Sequence, residues 1–284
     1  MGRRTAKIHS GSFPRKEMFD FYKCIEAAAS TCGNTTLDAF NDACRVFALS
    51  IHNPMLKAMG RNEEFAKMEE EHNSIMAKYK ENGQRAIIRA FALLIEAMEE
   101  KREDFLGEMM GRCGATNEHL DQFFTPLCVS RFMARCLHAG DDIIERGKKE
   151  IITVNDPACG ASVNLIEGAE ELMAQGVPQC NILIYAEDLG VLPFNVSFVQ
   201  LSLLGYAAVV TRMDSLSMQV YEGPWYTSCY FEHCMPMRLP WRKVGGKPTD
   251  GNADAQERKT QLPPTEELAK PFASIGGVQL ELGL

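Results

Sequence analysis

The chain contains no run near the ~20 consecutive apolar residues that a membrane-spanning helix requires, which excludes a helical membrane protein. Its first residues, Met1-Gly2-Arg3-Arg4-Thr5-Ala6-Lys7, lack the apolar stretch of a secretory signal, and they do not place Ser or Thr where an N-myristoylation signal needs it. No leader and no lipid anchor are expected. Ten cysteines are present, yet no Cys-x-x-Cys occurs, and the six histidines are dispersed. Without ligand spacing, neither a zinc site nor any other metal is expected. Several thiols, among them Cys44, Cys128 and Cys136, sit in apolar helical patterns, where a free cysteine acts as a small hydrophobe. Scattered cysteines of this kind predict a reduced, cytoplasmic protein. A basic excess is also lacking. Lys and Arg total 30 against 38 Asp and Glu, a net charge of −8, which weakens general attraction to phosphates.

What is present suits a globular fold. The 284 residues are 45% hydrophobic and 24% charged, enough for one large or two modest domains. Charge is unevenly placed: Arg3, Arg4, Lys7, Arg15 and Lys16 form a basic arm over residues 1–16, and Arg238, Arg242, Lys243 and Lys247 a second cluster. Either could meet phosphates or simply be solvated. Residues 17–120 read as all-helical. Leu37, Phe40, Cys44 and Phe47 share one helical face. Glu63–Lys80 reads as an exposed amphipathic helix, and Ile87, Ile88, Phe91, Leu94, Ile95 and Met98 make a strong stripe after Gly83. Next comes Asp121-Gln122-Phe123-Phe124-Thr125-Pro126. Here Thr125 reads as an N-cap and Pro126 as the first helical residue, ahead of a stripe of Val129, Phe132, Met133, Cys136 and Leu137. The two phenylalanines either pack the start of that helix or close over an adenine ring.

The remainder alternates strand and helix. Ile151–Val154 is a short β-branched run that ends at Asp156-Pro157. The small residues Ala158, Cys159, Gly160 and Ala161 follow, and then a helical stretch. A strand, a tight turn and a helix start present outward N–H groups and admit a ligand closely. An ordinary βα turn would read the same way. Asn181–Ala186 is a second strand, tipped by Glu187 and Asp188, at a separation from Gly160 close to the ~20 residues of the nucleotide fingerprint. A buried helix, Leu192–Leu204, leads to a third strand over 206–211, and Asp214 stands just past its end. Acids at successive strand tips suit a nucleotide-binding half of a doubly wound sheet. Beyond Val220 the chain is aromatic and irregular. Residues 244–266 are rich in Gly, Pro and charge, and Phe272–Leu284 is expected to dock as a short strand.

These residues together resemble the adenine-N6 DNA methyltransferases of the type I restriction-modification, M-subunit-like class. The likeness runs from about Asp104 to Leu216. Asp121–Pro126 stands for the family's Gly-Gln-Phe-Phe-Thr-Pro, and Asp156-Pro-Ala-Cys-Gly-Ala-Ser for its Asp-Pro-Ala-Cys-Gly-Ser-Gly. Tyr185-Ala-Glu-Asp matches the ribose-acid segment, and Asp214-Ser-Leu the element near the cofactor adenine. The resemblance implies a Rossmann-like, S-adenosylmethionine-dependent methyltransferase fold at 121–243. It would be preceded by the helical region 17–120 and the flexible arm 1–16, and followed by a polar, partly disordered tail at 244–284. It implies S-adenosyl-L-methionine as cofactor. Phe123, Phe124 and Thr125 would lie beside the cofactor, Asp156, Ala158 and Gly160 would cradle its methionine, Glu187 would hold the ribose, and Asp214 would face the adenine edge. It further implies double-stranded DNA as partner, with a specificity or methylase subunit or a second copy alongside, and no membrane.

One family element is absent. The Asn/Asp-Pro-Pro-Tyr/Phe tetrapeptide, which holds the flipped base and its amino group, occurs nowhere in the chain. Its nearest substitute is Gly223-Pro224-Trp225-Tyr226, so Pro224, Trp225 and Tyr226 are the candidate catalytic residues; the aromatics either stack a base or pack a loop on the sheet. Three readings stay open: an orphan adenine methyltransferase of phage or plasmid type with a divergent catalytic segment, a non-catalytic relative that binds the cofactor or a methylase partner and modulates restriction, and a methyltransferase for RNA or protein.

Overall fold

In the computed structural model the described residues are 13–114, 125–137, 141–234 and 279–281. Five helices come first: α1 (Lys16–Cys32), α2 (Thr36–Ala58), α3 (Asn62–Ala77), α4 (Glu81–Glu100) and α5 (Phe105–Arg112). Local chemistry sets their ends. Gly33 takes φ 77° and returns its N–H to the Ala29 carbonyl, the left-handed cap that only glycine adopts without strain. Thr35 and Asp38 cap α2 reciprocally. Phe40, Cys44 and Phe47 are buried as the periodicity predicts, with Leu37 at the margin. On α4 the buried line is Ile87, Ala90, Leu94 and Ala97, while Ile88 is 63% exposed. Small alanines let α4 close on α1, and the packed face turns away from Ile88 as a result. Phe21 of α1 meets Phe40, Phe47 and Phe105 edge-on.

The arm expected over 1–16 is not loose at its described end. Phe13 is buried, and Arg15 reaches the Ala97 carbonyl and the Glu100 and Glu103 carboxylates at 3.2–3.3 Å. Arg15 is therefore committed to the fold rather than offered to phosphates.

After α6 (Leu127–Leu137) and α7 (Asp141–Gly147) the α/β part begins: β1 (Ile152–Asp156), α8 (Val163–Ala174), β2 (Ile182–Asp188), α9 (Val191–Leu203), β3 (Ala207–Asp214), β4 (Gln219–Tyr226), α10 (Ser228–His233) and β5 (Gln279–Glu281). The sheet order is β4-β3-β2-β1-β5. β1, β2, β3 and β5 are parallel, and β4 returns antiparallel to β3. This is a Rossmann-like α/β architecture behind a helical N-terminal region. The span after Val220, expected to be irregular, instead forms β4 and α10. The predicted C-terminal strand is present as β5 beside β1; most of the predicted tail, 244–284, lies outside the described residues.

Strand alternation divides the two faces. Ile152, Val154, Ile182, Ile184, Ala208 and Val210 join one buried cluster with α8, α9 and the N-terminal helices. Leu183, Ala207 and Val209 face the other way, toward Tyr226 and Tyr230. α9 is buried almost all round, because it lies between α2 and the sheet.

α6 departs from expectation. It starts at Leu127, with the Pro126 carbonyl taking the first helical bonds from Val129 and Ser130, one residue later than a Thr125 cap would give. It buries Ser130 and Ala134, while Val129, Phe132 and Leu137 are 43%, 69% and 40% exposed among the described residues. Small residues allow close approach to α8, and Arg131–Glu167 and Arg135–Glu171 ion pairs fix the register.

Candidate functional site

The first three strands each end on an aspartate: Asp156, Asp188 and Asp214. Strand order runs from β1 to β2 on one side and to β5 on the other. The topological switch point, where open α/β sheets take ligands, is therefore at β1.

The turn between β1 and α8 is held from three sides. Within it, the Ala158 N–H donates to Asp156 Oδ1 at 3.0 Å, and the Ser162 N–H to the Cys159 carbonyl at 2.7 Å. From β2, Asp188 accepts the Gly160 N–H at 2.9 Å and the Gly190 N–H at 2.8 Å, while the Cys159 N–H reaches the Glu187 carbonyl at 2.9 Å. From α9, the Ser197 hydroxyl donates to the Gly160 carbonyl and accepts from Ser162, and the Gln200 amide donates to Ala161. Gln200 also bonds Asp104 and the Leu106 N–H, which ties the turn to the start of α5. Gly160 (φ 55°) and Ser162 (φ 68°) are both left-handed. These bonds fix the turn in one conformation at the carboxyl edge of the sheet.

The electrostatics around the turn are one-sided. Burial pushes the Asp156 carboxyl above its ordinary range; hydrogen bonds from Ala158 and Asn164 pull it back, and the Asp188 charge pushes it up again. Glu187 is raised by burial, lowered by the Ser215 hydroxyl at 3.4 Å, and raised by Asp156. Asp188 is raised by burial against three backbone N–H donors. Among the described residues none of the three carboxylates forms an ion pair; Arg212, beside Asp188 in the sheet, donates instead to the Leu189 carbonyl at 3.2 Å. Buried carboxylates that lack a cation favour a ligand bringing positive charge and hydroxyl donors.

The structure brings together Asp156, Ala158, Gly160 and Glu187. Asp214 stands on the same edge, but the Ser217 hydroxyl and then the Ser217 and Leu216 N–H groups of the β3–β4 turn donate to it and hold its carboxyl below the ordinary range. Ser215 bridges the two parts, donating to the Pro157 carbonyl at 2.7 Å. Thr125 stands just before α6, which packs along α8. Arg131 pairs with Glu167 and Arg135 with Glu171, so α6 runs in step with α8 and its start lies near the start of α8. Phe123 and Phe124 lie outside the described residues.

Pro224, Trp225 and Tyr226 are placed elsewhere. Trp225 pairs with Val210 and Tyr226 with Val209, toward the amino end of β3. At about 3.3 Å per residue, Tyr226 is about 16 Å along the strand from the edge that carries Asp214. Trp225 is 3% exposed. Its ring stacks on His52 at 4.0 Å, meets Phe194 and Phe198 edge-on, and lies under the Arg45 guanidinium. The antiparallel return of β4 sinks the Trp225 ring in the core, where it packs rather than offering an open face to a base, while Pro224 and Tyr226 are half-buried on the same strand. Residue order places Asp188 at the strand tip but does not single out Ser197 and Gln200, whose signal is two polar groups within a largely apolar helix.

Comparison with known proteins gives the following. No family model and no curated protein matches the chain. Among solved structures, it is similar to a candidate class I S-adenosylmethionine-dependent methyltransferase from Listeria monocytogenes (TM-score 0.41, 14% identity, 71% of this chain and 54% of that one). It is also similar to a type I restriction-modification methyltransferase subunit from Streptococcus thermophilus (0.40, 10%, 67% and 56%). A third is a modification subunit of a candidate type I restriction enzyme from Vibrio vulnificus (0.35, 20%, 49% and 28%). The chain thus spans little more than half the length of the first two.

Proposed function

We propose that this protein binds S-adenosyl-L-methionine at the carboxyl edge of β1, β2 and β3, and that it is a cytoplasmic DNA adenine-N6 methyltransferase of restriction-modification type. The observation that carries the reading is the turn Pro157–Ser162 ringed by Asp156, Glu187 and Asp188, none of which pairs with a basic side chain among the described residues. That donor set fits the cofactor. Its ammonium and sulfonium groups offset the carboxylates, and its ribose hydroxyls donate to Glu187. Asp156, Ala158 and Gly160 would hold the methionine end, Asp214 the adenine edge, with Phe123, Phe124 and Thr125 alongside.

The bound cofactor supplies an electrophilic methyl group. The protein's own part is to orient the donor and keep its surroundings dry, since positioning provides most of the rate in such a transfer. With the Trp225 ring in the core, Pro224 and Tyr226 remain the candidates on this strand for holding the target base. A net charge of −8 fits DNA contact shared with a specificity subunit, a methylase subunit or a second copy.

The burial of Trp225 favours a second reading as well: a catalytically inactive protein of the same fold that binds the cofactor or a methylase partner and modulates restriction. Calorimetric titration with S-adenosylmethionine, beside Asp156→Ala, tests the site. Binding that the variant loses supports it, and no binding at millimolar cofactor refutes it. Tritiated methyl transfer to unmethylated DNA then separates enzyme from modulator, and nuclease digestion of the product exposes an RNA or protein acceptor.

A further inference from the structure

At the opposite end of the sheet, the single-turn helix α10 carries three potential metal ligands of three kinds. Thr227 precedes it and anchors it firmly: its hydroxyl donates to the Tyr206 carbonyl at 2.6 Å and accepts the Ala208 N–H at 2.9 Å, at the start of β3. Tyr230 packs at 4.7 Å from Tyr226, which holds the helix against the sheet. Residues at i, i+3 and i+4 share a helical face, and here those positions are Cys229, Glu232 and His233. Their ligand atoms all lie within 4.8 Å of one another. Neither Glu232 nor His233 makes a hydrogen bond or ion pair outside this group among the described residues. The three donor atoms are therefore close together, and the Cys229 thiol is engaged only by its neighbour Ser228 among the described residues.

We propose that Cys229, Glu232 and His233 form a binding site for a divalent metal ion of the zinc class. A thiolate, an imidazole and a carboxylate together suit Zn²⁺, whereas Mg²⁺ and Ca²⁺ take oxygen donors. Three protein ligands leave the fourth tetrahedral position for water or for a group from a partner. On binding, the Cys229 thiol releases its proton to solvent and the sulfur takes the metal. The site lies beyond the amino end of β3 and beside the turn Gln179–Asn181, so it cannot touch a ligand at the carboxyl edge. The spacing rules that found no metal motif search for paired cysteines and histidines. A single Cys-x-x-Glu-His turn escapes them.

The test is a cobalt(II) titration of the full chain, reduced and stripped of metal, followed by zinc. Wild type should bind one cobalt with a thiolate charge-transfer band in the near ultraviolet, which zinc abolishes. Cys229→Ser should lose the band. Glu232→Gln, at an exposed position, and His233→Gln should each weaken binding more than about tenfold. Circular dichroism confirms that each variant is folded. The proposal is overturned if folded wild type shows no band, if the band survives in Cys229→Ser, or if Glu232→Gln binds as wild type does. S-adenosylmethionine affinity should not change in Cys229→Ser; a parallel loss there would place the cluster in the cofactor site and refute a separate metal site.

Discussion

Two groups of buried charge sit on either side of α9, and they differ in how they are balanced. Around the turn after β1, Asp156, Glu187 and Asp188 face one another with only N–H and hydroxyl donors in reply among the described residues. Where α2 and α3 meet α9 and β4, Arg45 is answered in full. Glu71 lies at 2.8 Å, Glu222 at 2.7 Å and Asn195 at 3.1 Å, with the Trp225 ring beneath. The cleft of ≈ 450 Å³ beside Arg45 also holds Asp42, which Lys78 neutralises at 3.1 Å. The difference separates two roles. A compensated cluster is complete as folded and serves to dock the helices on the sheet. An uncompensated cluster is desolvated at a cost, and a ligand recovers that cost on binding.

Breaking the compensated side should cost stability and leave the ligand edge alone. The largest effect is expected for Trp225→Ala, which empties the space between His52, Phe194 and Phe198. Urea denaturation should show a loss of about 4 kcal/mol. A stable variant with impaired DNA methylation would return Trp225 to the substrate side.

His52 gives the same comparison a pH axis. Burial, then the charges of Arg61 and Arg45, push its imidazole from 6.5 down to about 3. The unfolded chain therefore binds the proton that the folded chain refuses. Stability should rise as pH climbs from about 3 to 6.5 and then level off, by up to on the order of 4 kcal/mol. His52→Phe keeps the stack on Trp225 and should flatten that acid limb in thermal melts; an unchanged limb would assign it to other groups. Arg45→Ala strands Glu71 and Glu222 and should cost about 3 kcal/mol, again by urea denaturation.

On the uncompensated side the sign reverses. Glu187 has a raised carboxyl pKa, so its contribution to stability is full below the ordinary carboxylate range and is lost as pH rises through the folded value. Glu187→Gln removes that charge. The apo protein should melt no lower than wild type near neutral pH, while S-adenosylmethionine affinity falls about 10- to 100-fold through the lost charged acceptor. A variant that melts lower without losing affinity would make Glu187 a structural acid like Glu222.

Much of this was legible from residue order. The helices over 17–112, the strands opening at Ile152 and Ile182, the turn at Gly160 and the acids at the strand tips follow from periodicity, β-branching and small-residue spacing. Each of these is a property of neighbours in the chain. The errors fall where distant segments meet. Val129, Phe132 and Leu137 read as a buried stripe, yet α6 buries Ser130 and Ala134, because its register is set by ion pairs to α8. For Trp225 residue order leaves both stacking on a base and packing on the sheet open, and the choice depends on the antiparallel return of β4 and on His52, far earlier in the chain.

The sequence by itself determined the α/β rhythm, the helical preamble and the identity of the acids at the carboxyl edge, since these need only local propensity and period. Tertiary structure alone decided which charged cluster is neutralised, that Asp188, Ser197 and Gln200 support the turn, and that Cys229, Glu232 and His233 stand together on an anchored helix. Whether a buried charge has a partner depends on groups brought together across the fold, and a linear pattern does not encode that distance.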